Sequence, residues 1–88
     1  MSKKRTLHLL KNAENRDPID FIQHIEQSYQ ISIVLIQDAI ETDLSPLTTE
    51  PCILSEDLLS ASAKTRRRKI TYARLIDMIF EHDAVVSW

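Results

Sequence analysis

The sequence predicts a single α/β domain: three layers, α/β/α, around a mostly parallel sheet of about five short strands. Three observations carry this. The chain has 88 residues, which suits one domain. The run Ser32 to Ile36 is almost continuously β-branched or Leu, the pattern of a strand covered on both faces. Such runs alternate with helical periodicity over short connections, which implies βαβ units with right-handed crossovers.

Thr6 to Leu10 is short, apolar and interrupted by His8, and reads as the first strand. Asp17-Pro18 opens a helix, with Asp17 as cap and Pro18 in the first helical position. Its apolar face carries Ile22, Ile25 and Tyr29, with Phe21 beside them. After the Ser32–Ile36 strand, Gln37 to Leu44 suggests a short helix opening at Asp38 and broken by Ser45-Pro46. Pro51 to Leu54 is a brief strand holding Cys52, and Ser55-Glu56-Asp57 has the hydroxyl cap and paired acids of a helix start. Ala63 to Lys69 reads as a basic loop, with a brief strand around Ile70. The last helix is predicted to bury Tyr72, Leu75, Ile76, Ile79 and Phe80 along one face, with Thr71 as its cap. Ala84 to Trp88 closes the sheet.

Composition narrows the function classes. At 43% hydrophobic and 27% charged the mix is that of a globular domain, so disorder over the whole length is not expected. A chain of this length buries only roughly 60–65% of its unfolded surface, so partner subunits are a natural source of further stability. A net charge of −2 argues against wholesale electrostatic binding of nucleic acid or membrane, though not against a local patch. Glycine is absent where average usage supplies about six. That excludes the glycine-dependent phosphate cradles of the P-loop and the Rossmann fingerprint. One cysteine, no leader-like apolar stretch after the basic residues 1–5, and no run near the ~20 apolar residues of a membrane span point to a cytoplasmic protein.

The ordered domain, residues 6–88, resembles the DsrH/TusB family of sulfur-relay proteins. The resemblance rests on Leu7-His8-Leu9-Leu10-Lys11-Asn12, Leu35-Ile36-Gln37-Asp38, Glu56-Asp57-Leu58 and the closing set Tyr72, Asp77, His82 and Trp88, in that order and at that spacing. It implies one of three related small subunits of a heterohexamer that accepts persulfide sulfur and passes it to a downstream carrier protein. The destination so implied is tRNA wobble-uridine 2-thiolation or, in sulfur oxidisers, a dissimilatory pathway. A sister subunit carries the active cysteine of the tRNA system, and the subunit resembling this chain is mainly structural. Some dissimilatory members carry a cysteine in the first helix, and residues 18–30 here hold none. The family's glycine after Gln-Asp is replaced by Ala39, and its Ala-Arg-Gly by Ser60-Ala61-Ser62.

Cys52 is the sole residue able to carry sulfane sulfur, a role that requires a thiolate stabilised by cations or a helix N-terminus. With Pro51 and Ile53 beside it, the favoured expectation is a small buried hydrophobe. His8, His24 and His82 lack the spacing of a helical metal site, so neither a metal nor a cofactor is expected. The interface candidates are His82, at a helix end, Trp88, able to seal the core or dock on a neighbour, and Arg66, Arg67 and Arg68. The cluster from Lys64 to Lys69 lacks interleaved aromatics, so direct tRNA contact is not expected there. The resemblance, with the missing cysteine in the first helix, implies a non-catalytic sulfur-relay subunit. Set against it are a persulfide carrier acting through Cys52, an RNA-binding module, and a homo-oligomeric domain without a sulfur role.

Overall fold

The computed structural model describes residues 4–12, 14–37, 39, 44, 47–54 and 67–88. Five strands form one sheet in the order β4-β3-β2-β1-β5: β1 (Arg5–Leu10), β2 (Gln30–Leu35), β3 (Cys52–Leu54), β4 (Arg68–Ile70) and β5 (Ala84–Ser87). Every pairing is parallel. The chain starts at β1, steps outward through β2 and β3 to β4, then returns across the sheet to place β5 on the free side of β1. Two described helices, α1 (Asp17–Ile25) and α2 (Tyr72–Glu81), make the crossovers from β1 to β2 and from β4 to β5.

Alternation along each strand sends its side chains to two separate cores. Leu10, Ile33, Leu35 and Ile53 face Ile19 and Ile22 of α1, with Ala39, Leu44 and Leu47 completing that side. Leu7, Val34, Leu54 and Ile70 face Leu75 and Met78 of α2. The sheet is thus covered on both faces, which is why its central strands read as continuous apolar runs. Fully burying each such Leu or Ile contributes roughly 1.5–3 kcal/mol.

Several local expectations are corrected. Asp17 is not the cap of α1. The cap position is Arg16, which makes no side-chain cap bond, while Asn15 Oδ1 accepts from the Asp17 backbone N–H at 3.1 Å. Asp17 and Asp20 instead lie in the first turn, facing the positive end of the dipole. Arg68 and Lys69 are not loop residues, since both belong to β4, where they pair in register with Cys52 and Ile53. In α1 the deepest residues are Ile19 and Ile22, while Phe21 and Tyr29 remain exposed.

The largest correction concerns α2. It buries Leu75 and Met78, while Tyr72, Ile76, Ile79 and Phe80 lie exposed. At 3.6 residues per turn, the apolar arc from Met78 round to Phe80 spans roughly 200°. A helix lying on a sheet needs only about half of that to cover a core, so the remainder faces outward. Thr71 caps α2 as predicted, its Oγ1 accepting from the Arg74 backbone N–H at 3.2 Å. The left-handed backbone in this region belongs to Gln37 (φ 52°), two residues before the position where the resembling family has glycine. Ala39 itself is buried, and its N–H donates to the Ile36 carbonyl at 3.0 Å. The expected helix starts at Asp38 and at Ser55-Glu56-Asp57 lie outside the described residues, as do Lys64 and Arg66.

Candidate functional site

Cys52 opens β3 and pairs with Val34 on one side and Arg68 on the other. Partners in adjacent strands project to the same face, so register alone sets the Arg68 guanidinium beside the thiol, under α2. Together with Arg74 and His82 of the α2 segment, they line a cavity of about 350 Å3 at the N-terminal ends of the strands. Ser32 and Glu50 also belong to the polar part of its wall.

At Cys52 burial and charge oppose each other, and burial prevails. Burial pushes the Cys52 thiol above its ordinary value of 9.0, and the nearby Arg68 and Arg74 guanidinium groups only offset part of that rise. Arg74 is itself engaged, donating to Glu81 Oε2 at 2.8 Å. A relay nucleophile needs the opposite balance, with cations outweighing desolvation. Cys52 is therefore held as a neutral, half-buried thiol.

His82 follows the last turn of α2. Its Nδ1–H donates to the Met78 carbonyl at 2.6 Å, and Nε2 lies 2.8 Å from Ser32 Oγ. The ring satisfies an open carbonyl at the helix end and ties α2 to the start of β2.

No family model matches the chain, and no curated protein or solved structure matches it either. The site is therefore read from its own geometry.

On the opposite face, His8 lies buried within β1. Trp88 follows β5, and its backbone N–H donates to the Leu9 carbonyl at 2.9 Å, extending the β1–β5 ladder. Its indole packs on the α1 core and stacks against His8, with centroids 6.3 Å apart at 18°, while Phe21 meets the indole at 5.6 Å. Trp88 Nε1–H donates to His8 Nδ1 at 3.2 Å. An indole only donates, so Nδ1 carries no proton. The hydrogen then sits on Nε2, which donates to Thr6 Oγ1 at 3.2 Å. Burial lowers the His8 pKa, in keeping with this neutral tautomer. Beside the cluster lies a mostly apolar cleft of about 360 Å3 lined by His8, Phe21, Ile25, Tyr29 and Val86.

Arg67 sits half-buried in the bend before β4, and Arg68 is exposed. The structure thus brings Cys52, Arg68 and His82 to one cavity and sets Trp88 on the other side of the sheet. Arg74 and Ser32 join the cavity without having been singled out in the sequence. Ser32 was findable, because alternation along β2 places it under α2; Arg74 reaches Cys52 only through the packing of α2. Among the described residues no group of His, Cys, Asp or Glu is placed to hold a metal ion, and no helix is long and apolar enough to cross a membrane.

Proposed function

We propose that this chain is a non-catalytic subunit of a cytoplasmic sulfur-relay complex, supporting persulfide transfer toward tRNA wobble-uridine 2-thiolation. The observation that carries the reading is the setting of Cys52: the chain's single thiol is half-buried in β3, where burial pushes its pKa up despite two neighbouring guanidinium groups. A subunit of this kind supplies surface and leaves the persulfide to a cysteine on a sister chain, from which a downstream carrier receives it. The exposed apolar flank of α2 fits a chain that works in an assembly. Absence of a cysteine from α1 favours the tRNA pathway over dissimilatory sulfur oxidation.

Co-expression with two sister subunits, followed by native mass measurement, tests the reading. One stoichiometric complex that retains sulfur transfer when Cys52→Ala is introduced is expected. Loss of transfer in that variant, with the complex intact, would overturn it.

A second reading has one observation in its favour, the placement of Cys52 in a cavity beside Arg68 and Arg74. Under it, Cys52 itself carries the persulfide. Fast thiol modification of the native protein near neutral pH would support this reading, and modification only after unfolding would remove it.

A further inference from the structure

The flank of α2 that turns away from the sheet is an exposed apolar surface. Phe80 is 84% exposed, Tyr72 57%, Ile76 42% and Ile79 37%. At 100° per residue these four, with Ala73, occupy one continuous arc that contains no charged side chain. Asp77, Arg74 and Glu81 lie together on the other side of the helix. Val85 of β5, 40% exposed, pairs with Leu7 and so shares the α2 face of the sheet.

We infer that this flank is a two-fold interface between two copies of the chain, formed by antiparallel packing of α2 on its symmetry mate. The sequence of the flank is self-complementary in that arrangement. With the axis at Ile76, the two Ile76 side chains meet. Tyr72 of each copy lies against Phe80 of the other, an aromatic pair, and Ile79 lies against the small Ala73. No like charges face each other, because all three charged residues of α2 fall outside the arc.

The area is of the right size for such a contact. Aromatic side chains carry roughly 150–250 Å2 each, so the exposed fractions of Phe80 and Tyr72 leave roughly 200–350 Å2 between them. The isoleucines and Val85 bring each copy to roughly 400–550 Å2, and the pair to about 1,000 Å2. That is the lower bound for a specific interface, so the dimer is expected to be concentration-dependent, dissociating on dilution through the micromolar range. The subunit reading also draws on this flank as surface for assembly, whereas the inference commits it to a second copy of the chain, and one experiment separates the two.

Sedimentation equilibrium of the full chain over a range of concentrations is the measurement. The wild type is expected to pass from monomer to dimer. An Ile76→Asp, Phe80→Asp double variant is expected to weaken self-association by about a hundredfold or more. Ala73→Arg, which takes no apolar surface from the monomer, is expected to weaken it as well, with circular dichroism unchanged in both variants. A wild type that stays monomeric at every concentration, or a dimer that persists in both variants, would overturn the inference. A monomeric wild type that joins two sister subunits through this flank, losing them on Phe80→Asp, would also overturn it while leaving the subunit reading standing.

Discussion

His8 is buried at 1% exposure with both ring nitrogens committed, one accepting from the Trp88 indole and one donating to Thr6. A second proton would break the indole bond and place a charge in the core, so the folded pKa lies below the ordinary 6.5. Above 6.5 both folded and unfolded chains hold His8 neutral, and its contribution to stability is complete. Below 6.5 the unfolded chain takes a proton that the folded one refuses, and stability falls with pH. Denaturant unfolding between about pH 7.5 and pH 5 should show a steeper loss in the wild type than in His8→Gln; parallel curves would remove the argument. Cys52 is governed by the same competition between burial and charge. Because Arg68 and Arg74 each lower its pKa, Arg68→Ala should move the thiol titration midpoint still further above 9.0. An unchanged or lowered midpoint, read by thiolate absorbance, would show that Arg68 does not act on the thiol.

At the scale of elements, individual side chains make several of the joints between helices and strands. Thr71 closes the N-terminus of α2, and Thr71→Ala should cost about 1 kcal/mol by urea unfolding. Glu26, just past α1, binds the segment that leads into β3: its Oε1 accepts from the Thr48 and Thr49 backbone N–H groups and from Thr49 Oγ1, at 3.0 to 3.1 Å. Glu26→Ala removes three bonds to one carboxylate oxygen and should cost about 1–3 kcal/mol. It should also raise amide exchange at residues 48 and 49, a local signature that general destabilisation would not give. Asp83 joins β5 to β1 in both directions, through its own N–H to the Arg5 carbonyl and from the Arg5 N–H to its carboxylate, at 2.7 and 2.8 Å. That pair sets the register by which Trp88 reaches His8.

Taken as a whole, the molecule has two cores of unequal closure. The α1 side is deep, with Ile22, Leu35 and Ile53 fully buried, so Ile22→Ala should cost about 2–5 kcal/mol in chemical denaturation. The α2 side is shallower: Leu75 and Met78 are the buried residues of the helix, Ile76 and Ile79 are partly covered, and Tyr72 and Phe80 are mostly exposed. For a chain of this length with apolar surface left exposed on α2, association is the ordinary remedy.

How much of this was legible in the sequence depends on whether the cause was local. β4, which begins with Arg68 and Lys69, carries no apolar run, and those two residues read as loop. The positions of β1, β2, β3 and β5 came from short apolar runs, the parallel sheet from their alternation with helices, and the Thr71 cap from one hydroxyl before an apolar stripe. Each of these is decided within a few residues, where backbone sterics and hydrogen-bond demand act. The direction in which α2 presents its stripe was not legible. Periodicity shows that Tyr72, Ile76, Ile79 and Phe80 share an arc with Leu75, but the width of sheet available decides which part of that arc is buried. In the same way the sequence marked Cys52 as the one sulfur able to react, and only the neighbouring strand and α2 determined its charge state. A thiol's pKa is a sum over groups brought near by folding, Arg68 by register and Arg74 by helix packing, and no local pattern encodes that sum.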